Sequence, residues 1–177
     1  MKKSLLSMFA AVFSLSVTAA TSTPKGFTDD LDAAISASKA SGKVVCAVFS
    51  GSDWCYWCKV LEEDHLSKKD FVNEASKNLE LVFIDFPRDK SKLSDKAREN
   101  NPNLMKKYGI KYFPTVMFID QNGSATMAPR PAENSSPMDY AKLLAKEALS
   151  IAKSTSSSVR NDINLRLNSP APGRPAK

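Results

Sequence analysis

Three short apolar runs, at positions 44–49, 79–86 and 115–119, form the clearest pattern along the chain. Each run is rich in β-branched or aromatic residues, which predicts a buried strand. The dipeptide Asn122-Gly123 follows the third run, and Asn-Gly is the strongest short-range signal for a β-hairpin. A fourth strand is therefore expected at 124–128.

Helical patterns surround these strands. Thr28 is expected to cap a first helix that ends before Gly42. The last helix should begin with Ser136 as its N-cap and Pro137 at its first position. Three further helices are expected, one that starts near Cys55, one at 70–75 and one at 104–108.

The segment 87–102 is highly charged and lacks an apolar rhythm, so we expect an exposed excursion with one helical turn at 93–98. The other elements alternate between helices and strands, and crossover helices imply parallel strand pairing. The hairpin adds an antiparallel strand. The sequence therefore predicts the α/β class, with a small mixed β-sheet and helices on both of its faces.

The first twenty residues have the layout of a secretory signal peptide. Lys2 and Lys3 precede an apolar stretch at 5–17, and the small residues at 18–21 suit a cleavage site. A bilayer span needs roughly 20 apolar residues, so a retained membrane anchor is the weaker alternative. We expect residues 1–20 to be removed and the mature protein to be periplasmic or secreted, without membrane insertion.

The formal charge of +6 does not indicate a nucleic-acid-binding face. Basic and acidic residues balance over 21–152, and the basic excess lies at the end of the chain, which is rich in Ser, Asn, Pro and Arg. We therefore expect one folded domain at 21–152 and a disordered basic tail at 153–177.

The three cysteines allow one bridge and one remaining thiol. Cys55 and Cys58 form a Cys-x-x-Cys pair at a predicted loop-to-helix junction. Unpaired backbone N–H groups at a helix N-terminus favour negative charge, and they would stabilise a thiolate at Cys55, the attacking species in disulfide exchange. Cys58 would resolve the mixed disulfide. Cys46 lies in a predicted strand and is expected to be a small buried hydrophobe.

Two other interpretations of the cysteine pair remain open. Zinc needs four ligands, and the only further candidates are Cys46 and the single histidine, His65. We expect His65 to be a helix-capping or surface residue. The other alternative is a purely structural disulfide, although so short a loop would contribute little stability.

The segments 49–59 and 107–116 resemble the two signature motifs of the thioredoxin-like superfamily. The first contains Trp-Cys-Tyr-Trp-Cys-Lys, and the second contains Tyr-Gly-Ile-Lys-Tyr-Phe-Pro-Thr-Val. The chain is most similar to exported thioredoxin-family proteins with a Trp-Cys-x-x-Cys-Lys active site. The resemblance covers about 27–152 and implies a thioredoxin-like fold.

The resemblance also implies roles for single residues. Cys55 matches the attacking cysteine, Cys58 matches the resolving cysteine, and Pro114 matches a cis-proline that faces them. Tyr56 and Trp57, between the cysteines, could contact an apolar client or cover the disulfide. The candidate substrate-binding residues are Trp54, Tyr56, Trp57, Phe113 and Pro114.

Two positions depart from the thioredoxin pattern. Thioredoxins have a buried aspartate six residues before the first cysteine and a companion lysine on the next strand, where this chain has Phe49 and Leu81. The usual proton acceptor is therefore missing. Asp53 and Glu62 are candidate substitutes, although we expect both to be solvated.

The sequence predicts a thiol–disulfide oxidoreductase that reduces or interchanges protein disulfides outside the cytoplasm. Its expected partners are protein thiols and disulfides, and a redox partner that supplies or removes electrons. No metal, organic cofactor or nucleic acid is expected. The alternative is a non-catalytic protein-interaction domain whose disulfide stays closed.

Overall fold

The computed structural model of the chain describes residues 23–168, so the predicted signal peptide lies outside the described residues. The main elements are α1 Leu31–Ser41, β1 Val44–Ser50, α2 Tyr56–Leu61, α3 Lys69–Ala75, β2 Leu79–Asp85, α4 Asp95–Lys107, β3 Thr115–Ile119, β4 Ala125–Met127 and α5 Pro137–Asn168. A π-helical turn at Glu62–Leu66 extends α2, and a 3-10 turn at Lys90–Lys92 precedes α4. None of the helices described here is both long and apolar enough to cross a membrane.

The four strands form one mixed sheet in the order β2-β1-β3-β4. β1 is parallel to β2, and β3 is antiparallel to both β1 and β4. The predicted α/β class and mixed sheet are confirmed. The crossover rule predicts that β3 is parallel to the strand beside it, and this prediction is wrong, because β3 pairs with β1 in the antiparallel direction. The segment 108–114 returns the chain to the end of the sheet where β1 finishes, so Thr115 pairs with Phe49.

Helices cover both faces of the sheet, as predicted, and every residue of β1 is buried. Because side chains alternate along a strand, neighbouring β1 residues enter different clusters. Val48 packs in a cluster with residues of α3 and α5, whereas Phe49 packs in a cluster with residues of α1 and α4. The two clusters fix the end of β1, from which the cysteine-bearing loop departs.

The ends of α1 and α5 follow local capping chemistry. Asp30 caps α1 by accepting a hydrogen bond from Ala33 N at 3.1 Å, so the predicted cap Thr28 is wrong by two residues. Thr28 instead forms a β-bridge with Val82. At α5 the prediction is confirmed, because Ser136 Oγ accepts from Asp139 N at 3.1 Å.

Helix α4 replaces most of the predicted excursion. It is continuous over Asp95–Lys107 and contains Pro102, so the prediction of an irregular segment up to 102 is wrong. Ser94 caps the helix by accepting from Ala97 N at 3.2 Å. One of its inward positions is the polar Asn101, which is buried and donates to Asp85 O at 2.8 Å. The hydrophobic pattern is therefore too weak to reveal the helix.

Helix α5 continues beyond the predicted end of the domain. It reaches Asn168, so the prediction of a disordered tail is wrong for 153–168, and 169–177 lie outside the described residues. No Gly or Pro interrupts the helix after Ala152. Its serines donate to carbonyl groups one turn earlier, as Ser156 Oγ does to Ala152 O at 2.9 Å.

Candidate active site

The cysteine pair lies where β1 meets α2. Cys55 is the N-cap residue of α2, and its N–H donates to Gly51 O at 2.8 Å. Cys55 and Cys58 form a disulfide, with their Cα atoms 5.2 Å apart. Cys55 is 7% exposed and Cys58 is 2% exposed, so Cys55 is the more accessible of the two residues.

Backbone N–H groups surround the two sulfur atoms. Cys58 N donates to Cys55 Sγ at 3.2 Å, and Gly51 N donates to Cys58 Sγ at 3.5 Å. When the disulfide is reduced, the first of these contacts becomes a charge-assisted hydrogen bond to a thiolate. This N–H group and the helix N-terminus lie where the sequence predicts groups that would stabilise a thiolate at Cys55.

The second motif meets the first through aromatic rings. The indole ring of Trp54 packs edge-on against Phe113, with 5.5 Å between ring centroids. The peptide bond from Phe113 to Pro114 is cis, as the resemblance implies, and β3 begins at the next residue. The two motifs, which are about sixty residues apart in sequence, therefore line one end of the sheet.

Large aromatic side chains are exposed at the same end of the molecule. Tyr56 is 69% exposed and Trp57 is 66% exposed, and their rings meet edge-on at 5.1 Å. Tyr112, which lies two residues before Pro114, is 77% exposed. The cysteine residues are themselves buried. Tyr56 and Trp57 therefore supply the exposed apolar surface beside the disulfide.

The two proton-acceptor candidates lie in different environments. Asp53 accepts hydrogen bonds from Arg88 N at 2.9 Å and Asp89 N at 3.0 Å, and these bonds lower the pKa of Asp53. A carboxyl with a lowered pKa is a weak proton acceptor. Burial raises the pKa of Glu62, and the nearby charges of Asp85 and Glu63 raise it further. The expectation that Glu62 is a solvated residue is therefore wrong.

Asp85 is the site residue that the sequence prediction overlooked. It is buried at the end of β2 and accepts hydrogen bonds from Ser52 N at 2.9 Å and Ser52 Oγ at 2.6 Å. These bonds hold the loop that leads to Cys55. An acid that directly follows four apolar strand residues at 81–84 was the available signal, because an aspartate is rarely buried without hydrogen-bonding partners.

The remaining thiol and the histidine lie away from the disulfide. Cys46 is buried in β1, as expected, and burial raises its pKa to about 12. His65 packs edge-on against Tyr140 with 5.3 Å between centroids, and its Nδ1 is buried, so the expected surface or capping role is wrong. Within residues 23–168, no group of three or more His, Cys, Asp and Glu side chains is arranged to hold a metal ion.

A Glu62→Gln variant should be more stable than the wild type at pH 7. The raised pKa of Glu62 means that its ionisation is less favourable in the folded state, so its contribution to stability falls as pH rises above the ordinary value of 4.5. Thermal unfolding should give a melting temperature roughly 1–2 °C higher at pH 7, with no gain near pH 4.

The matched control for this prediction is Glu147→Gln. Glu147 is an exposed acid on α5, so its replacement removes the same charge without relieving burial. Equal melting-temperature changes for the two variants at pH 7 would contradict the assignment of Glu62.

This fold, with a disulfide at a helix N-terminus and a cis-proline beside it, is that of a thioredoxin-like protein. The chain belongs to the thioredoxin-like domain family, whose model matches residues 31–146. It is 36% identical over 90 residues to the disulfide bond reductase DsbH of Chlamydia pneumoniae. That alignment covers 51% of this chain and 54% of the relative, so the chain spans about half the length of the curated relative that it matches.

One solved structure supports the same fold. A DsbH oxidoreductase superposes with a TM-score of 0.61 and 26% identity, covering 84% of this chain and 95% of that chain. The reduced C-terminal domain of Neisseria meningitidis DsbD gives a TM-score of 0.47 and 21% identity, covering 67% of this chain and 99% of that one.

Proposed function

We propose that the protein is a thiol–disulfide oxidoreductase that reduces or interchanges protein disulfides outside the cytoplasm. The observation that carries the proposal is the Cys55–Cys58 disulfide at the start of α2, with Cys55 the more exposed residue. The relative named as a disulfide bond reductase supports reduction as the direction of the reaction. The signal-peptide pattern at 1–20 supports a periplasmic or secreted location.

The reaction takes place in two exchange steps. The Cys55 thiolate attacks one sulfur of a substrate disulfide, which forms a mixed disulfide and releases the other substrate sulfur as a thiolate that takes up a proton. Cys58 then loses its proton, attacks Cys55 Sγ and closes the protein's own disulfide, which releases the second substrate thiol. Two electrons pass to the substrate, and a dithiol partner must return two electrons to the protein.

Glu62 is the half-buried group that we propose as proton acceptor for Cys58. Its N–H donates to Cys58 O, so it lies one helical turn after the resolving cysteine. A carboxyl with a raised pKa accepts a proton more readily than an ordinary one. Asp53 is unsuited to this role because its carboxylate already accepts two backbone hydrogen bonds.

Substrate contact is proposed for Trp54, Tyr56, Trp57, Phe113 and Pro114. Pro114 has no N–H with which to extend pairing, so the segment before β3 is left available to an extended substrate. The exposed rings of Tyr56 and Trp57 would contact apolar side chains next to the substrate disulfide.

The function can be tested by the reduction of insulin with dithiothreitol, followed as precipitation of the released B chain. The wild-type protein should accelerate precipitation over dithiothreitol alone. A Cys46→Ala variant should accelerate it equally, since Cys46 is buried in β1 away from the disulfide. A rate equal to that of dithiothreitol alone would contradict the proposal.

A further inference from the structure

The segment 86–92, here called the strap, runs beside the loop that leads to Cys55. Asp53 accepts from Arg88 N at 2.9 Å and from Asp89 N at 3.0 Å. The indole N–H of Trp54 donates to Phe86 O at 2.8 Å. Three hydrogen bonds therefore fix the strap to the two residues that precede Cys55.

The strap also contacts the loop that carries the cis-proline. The ring of Phe86 packs against Phe113 with 5.4 Å between centroids, and Phe113 packs against Trp54 at 5.5 Å. Phe86 N donates to Ser50 O at 2.8 Å, which ties the start of the strap to the end of β1. The strap is thus the third segment that lines the end of the sheet where the disulfide lies, beside the two signature motifs.

The charges on the strap are not balanced. Asp53 is occupied by two N–H groups and by Lys92 Nζ at 3.8 Å, and Asp89 accepts from Ser91 N and Ser91 Oγ. Arg88 and Lys90 are exposed, and among the described residues neither forms an ion pair. Hydrogen bonds from neutral donors leave the carboxylates of Asp53 and Asp89 charged. Arg88, Lys90 and Lys92 outnumber these two carboxylates, so the strap and Asp53 together carry a formal net charge of +1.

These cations lie within reach of a substrate at the disulfide. Arg88 N is hydrogen-bonded to the residue two positions before Cys55, and the long side chain of Arg88 extends from there into solvent. Exposed charges act over about 8–10 Å at physiological salt, so a cation on the strap acts on a polypeptide that passes within that distance. A polypeptide docked at Cys55 would therefore experience the positive field of the strap.

We infer that the strap is a second substrate-contacting element, in which Arg88 and Lys90 favour polypeptides that carry acidic residues beside their disulfide. The inference rests on the proposed exchange activity and adds a substrate class to it. Asp53 is the positioning residue, because its carboxylate holds the backbone from which Arg88 projects.

Two synthetic peptides test the inference. Both contain the same intramolecular disulfide, flanked by glutamates in one peptide and by glutamines in the other. The reduced protein, freed of dithiothreitol, is mixed with each peptide, and the second-order rate constant of peptide reduction is measured by quenched chromatography. In low salt the acidic peptide should react about tenfold faster, and 0.5 M NaCl should remove most of the difference.

Two double variants separate the strap from other charges. The double variant Arg88→Gln/Lys90→Gln should bring the ratio of the two rates close to one. The matched control is Lys68→Gln/Lys69→Gln. These two exposed lysines lie beyond the end of the helical segment that begins after Cys55. The control variant should keep the wild-type ratio.

Asp53→Asn tests the positioning role. Asparagine has one acceptor oxygen for the two N–H groups, so the strap should loosen and the ratio should fall by about half or more. Loss of the Asp53 charge by itself would raise the ratio, so a fall in the ratio reports the loss of the hydrogen bonds. The matched control is Asp120→Asn at the β3–β4 turn, where a single carboxylate oxygen accepts two backbone bonds, at 2.8 and 2.9 Å. This substitution removes one negative charge while the asparagine oxygen can still accept both bonds. This control should keep the wild-type ratio.

The outcomes distinguish the inference from the function on which it rests. A wild-type ratio near one, or an unchanged ratio in the Arg88→Gln/Lys90→Gln variant, would overturn the inference and leave the exchange activity in place. Failure of the reduced wild-type protein to reduce either peptide would instead overturn the proposed function.

Discussion

A Cys55→Ser variant should lose catalysis of insulin reduction, by a factor on the order of 10³ or more, the scale on which removal of a nucleophile acts. A serine hydroxyl is not ionised at neutral pH and forms no disulfide with a substrate. Cys58 cannot take over the attack because it is 2% exposed, behind Cys55. The insulin assay measures the loss directly.

Loss of folding would not explain this result. The bridge closes a loop of only a few residues, so its removal should cost little stability. Circular dichroism and thermal unfolding of the variant should therefore stay close to those of the wild type under reducing conditions. Retention of wild-type insulin reduction by a folded Cys55→Ser protein would rule out Cys55 as the nucleophile.

A Cys58→Ser variant should instead trap its substrate. Cys55 remains able to attack, but the intramolecular thiol that resolves the mixed disulfide is missing. Uncatalysed disulfide rearrangement takes minutes to hours, so the covalent complex should survive on that scale. Non-reducing electrophoresis and mass spectrometry of tryptic peptides should locate the link at Cys55.

The control for trapping is the Cys55→Ser/Cys58→Ser protein, which keeps only the buried Cys46. It should form no substrate complex. A link found at Cys46, or an equal yield of complex from the control, would contradict the assigned roles of the two cysteines.

The parts of the fold that were predicted correctly depend on local signals. The strands β1, β2 and β3 were predicted from apolar runs, and β4 was predicted from the Asn122-Gly123 turn before it. The start of α5 followed from the Ser136-Pro137 dipeptide. The Cys-x-x-Cys spacing likewise indicated a disulfide, since Cys55 and Cys58 are three residues apart. In each case, a few adjacent residues carry the information.

The parts that were missed depend on contacts between distant segments. Helix α4 buries the amide of Asn101, which bonds to the backbone of Asp85, so no apolar periodicity marks it. The antiparallel pairing of β3 is set by the route of the segment 108–114.

The environments of the acids at the site were missed for the same reason. Asp53 and Glu62 are similar polar residues in the sequence. In the fold, Asp53 binds the backbone of the strap, whereas Glu62 is half-buried near Asp85. The sequence therefore predicted the cysteine pair of the site. It did not predict the environments of the two acids or the contact of the strap with the loop that leads to Cys55.

The most direct test of the account is the alkylation rate of Cys55 as a function of pH in the Cys58→Ser protein. Only Cys55 should react with iodoacetamide in the folded state, because Cys46 is buried and burial raises its pKa to about 12. The position of Cys55 at the start of α2 predicts rapid alkylation at mildly acidic pH, well below the pH of about 8.5 at which ordinary thiols are half ionised. A rate that rises only near pH 8.5 would contradict the account and favour a non-catalytic domain with a closed disulfide.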